Sequence, residues 1–397
     1  MSESERSAKA GGAKGFPREL LGKSGAERAE YFRRFTVRHP YLDEAYDALV
    51  CAVTEAQPGS ILLVSGPAGV GKTTLLQRVE KYLIEEALGE LEEDRGRIPA
   101  ALIEAVAPDT GNFNWLDYYE RLLKLLGEPL VNRKIETRAA APEESRRHPA
   151  RSEKTGRALR VAVEEALLHR RLSAVLMDEA QHLATISSGR KLFDQLNAIK
   201  SLANMTETTH VLAGVYDLLR FRDLSGQLSR RSIDVHFRRY NAADADQRKA
   251  FINVLYTFQQ HLPLAETPDL VSDWDYYYER TVGCVGILKG WLLRALKEAV
   301  KKGKKGLPRK IIEQRALSVS QCNTLLAEAV EGEHALTDSE EARVALRTRM
   351  GLTAKAAATP PAPEAAPLPG DETPGPPPQK KQRVGTRKAM RDATGVR

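Results

Sequence analysis

Cysteine is scarce. Cys51, Cys284 and Cys322 are the only three in 397 residues, and no two lie close together in the chain. A disulfide-stapled scaffold is thereby excluded, and reduced, structural thiols in a cytosolic protein are expected. Long apolar runs are also missing. No stretch reaches membrane-spanning length, and the N-terminus lacks the apolar centre of a signal peptide, so no membrane partner is expected. The chain is read as a cytosolic protein. A large charge excess is absent too. Sixty basic against 53 acidic residues leave a net charge of +7 and a pI near 9.1, a lean towards an acidic partner such as nucleic acid. Apolar content is ordinary at 42%, enough for a sizeable core, and the length suggests two or three domains.

What is present is concentrated between Ile61 and Leu76. Ile61–Ser65 is a short apolar run, as expected of a buried parallel strand. Gly66-x-x-x-x-Gly71-Lys72-Thr73 follows, and then apolar residues at helical spacing: Leu75, Leu76, Val79, Tyr82 and Leu83. A triphosphate needs several backbone N–H groups turned to one point, so side chains must be missing where the backbone crowds the anion. Gly66, Gly69 and Gly71 meet that need. A helix opening at Lys72 adds its positive dipole end. The candidate ATP cradle is Gly66, Pro67, Ala68, Gly69, Val70, Gly71, Lys72, Thr73 and Thr74. Lys72 is expected to reach the β- and γ-phosphates, and the Thr73 hydroxyl to ligate Mg²⁺.

In chain order, residues 1–25 are rich in Gly, Ser, Ala and Lys and read as a flexible arm. An aromatic cluster (Tyr31, Phe32, Phe35) and Val37-Arg38-His39-Pro40 precede an amphipathic helix over 41–56. This block, with His39 and Pro40, either helps form the adenine pocket or is a plain packing helix, with His39 a structural hydrogen bonder. Residues 98–106 read as a second strand, 108–114 as a turn and Trp115–Leu126 as a helix. Residues 132–157 hold eight Arg or Lys and two prolines with few apolar residues, and read as a solvated insertion before a helix from Arg157 to Arg170.

Ser173–Met177 is the next strand, running into Asp178-Glu179-Ala180-Gln181-His182. An apolar run ending in two carboxylates about a hundred residues after a phosphate loop is the Walker B pattern. Asp178 would hold Mg²⁺ with Thr73, and Glu179 would polarise the attacking water. Ser187–Lys191 is a basic turn, 191–205 a helix and 209–215 a strand. Arg230 and Arg231 precede a strand holding Ile233, Val235 and Phe237; they read either as an arginine finger or as a solvated loop. From Asp244 the pattern is helical: Gln247–His261, Trp274–Thr281, Gly283–Lys301, Arg309–Leu317 and Val319–Ala329. The lysine run Lys301–Lys305 reads as a solvated helix end. Nine of the nineteen residues Pro360–Pro378 are proline, and a basic segment follows, Lys380–Arg397. The tail reads as a tethered peptide that touches nucleic acid or a protein.

The order of phosphate loop, Walker B, arginines and helical domain resembles the AAA+ ATPases. The string Asp178-Glu179-Ala180-Gln181-His182-Leu183, the block Phe35-x-x-x-His39-Pro40 and Gly283-x-x-Gly286-Ile287-Leu288 narrow this to the TnsC/TniB group of transposition regulators, relatives of MuB, over roughly residues 25–330. The resemblance implies an α/β fold. A parallel-sheet AAA+ core over 26–241 would be followed by a small all-α lid over 242–345 and a disordered Pro-rich and basic tail over 346–397. It implies an ATPase that assembles as a ring or helical filament on double-stranded DNA, recruits transposase together with target-selector proteins, and disassembles on hydrolysis. Asn112, Asn114, Arg190 and Lys191 would face the DNA phosphates. The sequence departs from the group where β-strand 209–215 ends in Ala213-Gly214-Val215 instead of a polar sensor, leaving Thr209, Tyr216 and Asp217 as alternatives, and in the lid, where Lys289 or Arg294 would sense the nucleotide. A second class is an ExeA-like or signalling P-loop switch acting on protein partners without DNA. A third, an origin-binding or clamp-loading ATPase, would call for a winged-helix module where the Pro-rich tail stands.

Overall fold

The computed structural model describes residues 15–108, 113–129, 131, 149–184, 190–223 and 233–352. Five strands form one all-parallel sheet: β1 (Ile61–Ser65), β2 (Ala100–Glu104), β3 (Ala174–Asp178), β4 (Thr209–Gly214) and β5 (Ile233–His236). Their order is β2-β3-β4-β1-β5, so β4 lies between the phosphate-loop strand and the Walker B strand. In register, Ser65 sits beside Gly214 on one side and His236 on the other.

The sheet is buried on both faces, as a parallel sheet must be. Every residue of β1, β3 and β4 is buried. The two-residue period of a strand sorts them. Leu62 and Val64 point to one face and join a cluster with Leu49, Leu75, Leu76, Val79 and Phe237; Ile61 and Leu63 point to the other and join Tyr118, Leu122, Val163 and Leu196. The first face is covered by α2 (Pro40–Glu55) and α3 (Lys72–Glu86). The short α4 (Leu88–Glu93) follows α3. The second face is covered by α5 (Trp115–Leu125), α6 (Pro149–His169) and α7 (Arg190–Thr206). The short α8 (Leu219–Asp223) leads from β4 towards β5.

A third apolar cluster belongs to helices after β5: α9 (Ala245–His261), α10 (Trp274–Thr281), α11 (Val285–Lys301) and α12 (Arg309–Arg315), after which α13 (Val319–Leu336) follows. Its centre is Trp291, 1% exposed, packed with Leu288, Leu292, Phe251, Leu255 and Phe258. The indole N–H donates to the Ile312 carbonyl (2.9 Å), so the ring is buried without an orphaned donor. Helix α1 (Gly25–Arg34) gives its buried Phe32 to this same cluster. The α1 side chains confirm the attachment: Tyr31 pairs with His261 (2.8 Å), and Arg28 donates to the Pro263 carbonyl (2.8 Å through Nε).

Several sequence expectations shift. The arm read over 1–25 is ordered from Gly15: the Phe16 side chain is buried, its N–H donates to the Gln260 carbonyl (3.2 Å), and Ser24 with Glu27 forms a capping box for α1. That anchor is a contact across most of the chain, which local composition does not encode. The insertion read over 132–157 is helical from Pro149, eight residues before the expected start at Arg157, with proline in the first turn where its missing N–H costs nothing. Residues 132–148 lie outside the described residues. Helix α13 runs to Leu336 instead of Ala329. The described residues up to Thr337 form one packed unit; the described part of a second, from Asp338, carries α14 (Glu340–Arg349), capped by Ser339. The expected tail boundary at 346 therefore falls inside a helix. No described helix is long and apolar enough to cross a membrane.

Candidate functional site

The site forms where strands β1, β3 and β4 end. At the end of β1, Gly66 passes so close to the Phe237 carbonyl that a Cβ there would collide with it. Gly71 holds φ +123°, a left-handed value that favours glycine, and caps α3 without a side chain. The loop between them delivers the N-terminus of α3, with its unpaired N–H groups, to the space above the sheet.

Lys72 is buried at 7% exposure, and its ammonium donates to the Gly66 and Pro67 carbonyls, each at 3.0 Å. Burial lowers its pKa, while the Glu179 and Asp178 carboxylates nearby oppose that shift. A cation is thus held inside the loop by two neutral acceptors, poised for a polyanion. The Thr73 hydroxyl donates to Asp178 Oδ2 (2.6 Å), which closes the loop onto the end of β3. Asp178 is buried, and its other oxygen accepts from the Glu179 N–H (2.9 Å). Glu179 lies in the left-handed region (φ 52°), a strained position for a side chain with a Cβ, and opens the 3₁₀ turn Ala180–Leu183.

These residues fit Mg²⁺ and a triphosphate. Mg²⁺ keeps several waters and takes one or two carboxylates plus phosphate oxygens. One hydroxyl and one carboxylate in mutual contact match that demand, whereas among the described residues no group of three or more His, Cys, Asp or Glu is placed to enclose a metal ion.

Behind the loop, His39 caps α2 and is 5% exposed. Its Nδ1 pairs with the Tyr240 hydroxyl (3.0 Å), and its ring lies 6.3 Å from that of Phe237, whose edge in turn faces Gly71. Burial lowers its pKa to about 4, so it is a neutral hydrogen-bonding group. The lid reaches the loop directly. The Ile287 N–H, in the first turn of α11, donates to the Gly69 carbonyl (3.1 Å), and Gly69 and Gly286 approach too closely for a Cβ at 286. Cys284, which precedes α11, is buried, and burial pushes its thiol up to about 12. It is no nucleophile, in line with the structural role expected of the thiols.

The structure thus gathers Gly66–Thr73, Asp178 and Glu179, with His39 one ring layer away. Asn114 accepts from the Asp117 N–H (3.1 Å) as the cap of α5. Arg190 and Lys191 open α7. Asn112, Arg230 and Arg231 lie outside the described residues. Thr209 drops out as a sensor. It opens β4, where its N–H donates to the Ser173 carbonyl (3.1 Å), at the sheet edge opposite the phosphate loop. The Tyr216 hydroxyl pairs with His236 (2.9 Å), and Asp217 is exposed. In the lid, Arg294 lines a surface hollow with Ala68, Gly69 and Ile287. Lys289 is half-buried near Arg33, and burial first, then that charge, lowers its pKa.

Sequence reasoning gave no role to Gln181, Phe237 or Tyr240, all of which build the site. Gln181 stands within a recognised string, but its contacts depend on β4 lying next to β3, which no local pattern reveals.

Residues 55–221 match a protein-family model described as an AAA domain. No curated protein matches the chain significantly. Among solved structures, the chain is similar to the ORC2 protein of Aeropyrum pernix in its ADP form, with 16% identity, 74% of this chain and 72% of that one covered, and a TM-score of 0.48. The ORC1 protein of the same organism, in complex with DNA, gives 16% identity, 72% and 68% coverage and a TM-score of 0.48. Domain III of the replication initiation protein DnaA from Thermotoga maritima gives 16% identity, 76% and 97% coverage and a TM-score of 0.38. Such overlaps assign no activity.

Proposed function

We propose that this chain, which carries an AAA-type P-loop ATPase domain, hydrolyses ATP to ADP and phosphate and uses the cycle to control its assembly on double-stranded DNA as a transposition regulator. The observation that carries the ATPase reading is the Thr73–Asp178 hydrogen bond of 2.6 Å, which joins the phosphate loop to the end of β3. In this reading the loop N–H groups and Lys72 bind the phosphates. Thr73 and Asp178 hold Mg²⁺, which when bound neutralises phosphate charge and orients its oxygens. Glu179 takes the proton of the attacking water. Arg230 and Arg231 complete the site of a neighbouring subunit.

The DNA and transposition part is supported by the Asp178–Leu183 string, by the basic balance of the chain and by the basic tail. Asn112, Asn114, Arg190 and Lys191 would meet phosphates without reading bases, and transposase and target selectors would be the protein partners.

Two measurements test this. Glu179→Gln should bind ATP normally yet hydrolyse it about 10²-fold or more slowly; normal turnover would remove Glu179 from the mechanism. Filter binding to DNA of arbitrary sequence should require ATP and fall steeply with salt. Equal DNA affinity with ATP, with ADP and without nucleotide would end the DNA-regulator reading and leave an ATPase switch acting on protein partners.

A further inference from the structure

Strand β4 delivers no polar side chain to the site. Its last residues are Ala213 and Gly214, both buried, and Val215 follows. Gly214 has no room for a side chain, because a Cβ there would collide with Gln181 Oε1 and would stand 3.1 Å from the Gln181 backbone nitrogen. Gln181 is 8% exposed and spans the gap between β4 and the Walker B strand. Its Oε1 accepts from the Val215 N–H (3.3 Å), and its Nε2 donates to Glu179 Oε2. The chemistry fixes which way the amide faces. A backbone N–H only donates, so the atom facing Val215 must be oxygen, and the atom facing the carboxylate is then the NH₂. Both ends are satisfied in one orientation and in neither case by the reverse.

We infer that Gln181 is the positioning residue for Glu179: it holds the carboxylate in a fixed direction and ties it to the backbone at the end of β4. Glu179 is thereby fixed twice, through its N–H on Asp178 and through its carboxylate on Gln181. The amide does the work that a polar side chain at the end of β4 would otherwise do, and the missing side chain at Gly214 is the space the amide occupies. A shift of β4 or of the turn behind it moves Val215, hence the amide, hence the carboxylate. This inference rests on the hydrolytic reading of the site.

The test uses the full chain. Gln181→Met keeps the length of the side chain and removes both amide contacts; Gln181→Asn keeps an amide but is one methylene too short to span both partners. Each is measured for melting temperature, affinity for a fluorescent ATP analogue, and steady-state kcat and KM. Both should bind the analogue within about twofold of the parent and lose about tenfold or more in kcat, the scale of a misplaced catalytic group. In a Glu179→Gln background, Gln181→Met should add no further loss, because Gln181 acts only through that carboxylate.

Parent-like kcat in Gln181→Met would overturn the inference. So would losses that multiply with those of Glu179→Gln, or loss of fold or of nucleotide affinity in both variants, which would make Gln181 a structural residue. If Glu179→Gln itself turned over normally, the hydrolytic reading would fail first. If Glu179→Gln is slow and Gln181→Met is not, only the positioning role fails.

Discussion

Lys72 concentrates the energetics of the site in one side chain. It is a buried cation whose ammonium donates to two carbonyls, and burial lowers its pKa. Burying a charge against neutral dipoles costs stability that a bound polyphosphate returns. Lys72→Ala should therefore weaken binding of a fluorescent ATP analogue about 100-fold or more, while the nucleotide-free melting temperature stays level or rises. A large fall in that temperature would mean that Lys72 holds the loop together instead. Histidines set the pH response. His39, His210 and His236 have pKa values lowered to about 4 by burial, against an ordinary value of 6.5. The unfolded chain takes up protons below about pH 6.5, and the folded chain does so only near 4, so stability is complete above pH 6.5 and falls between pH 6.5 and 4. The urea midpoint should drop from pH 7 to pH 5, and His210→Phe should flatten that slope. His210 is fully buried with its Nδ1 on the Thr208 carbonyl (3.0 Å), so it is the least screened of the three.

At the scale of elements, the phosphate loop and α11 meet in a tight joint. Gly286→Ala would press a methyl against the Gly69 carbonyl. Overpacking of this kind costs about 1–3 kcal/mol, and here the strain falls on the loop that faces the phosphates. ATP affinity should drop about tenfold or more by isothermal titration, with a fall of a few degrees in melting temperature. Glycine's role at 66, 69 and 71 was legible in the sequence, and so was its purpose, because phosphate loops constrain spacing. The strands were legible as apolar runs, since a parallel sheet buries both faces; β1 spans the expected Ile61–Ser65, and the ends of β2, β3 and β4 differ by a residue or two. The Gly69–Gly286 approach was not legible. It joins residues more than two hundred positions apart, and Gly286 in isolation reads only as the start of a helix. The order of residues 15–24 escaped for the same reason, since Phe16 is fixed by Gln260. Gln181 was visible as a letter of the Walker B string but silent as a contact, because its partner Val215 directly follows β4, a strand whose place in the sheet is a topological fact.

At the scale of the whole molecule, the proposed assembly makes each ATP site depend on a neighbour. Subunits carrying Arg230→Ala and Arg231→Ala are intact in their own phosphate loops. Subunits carrying Lys72→Ala are intact in their arginines. Mixing the two inactive proteins should restore part of the hydrolysis, since one class of interface is then complete. No recovery at any ratio would place the arginines outside a neighbour's site. The loop-to-lid joint has a consequence at this scale as well. Ile287 donates to the Gly69 carbonyl of the loop whose N–H groups would settle around the phosphates, so the lid helix and the nucleotide bias one shared piece of backbone. Thermodynamic linkage then makes their effects reciprocal. If nucleotide binding changes the orientation of the helical domain, any macromolecule that grips that domain changes ATP affinity by the same factor. A partner bound to the lid, far from the phosphates, would thereby set how long each nucleotide stays.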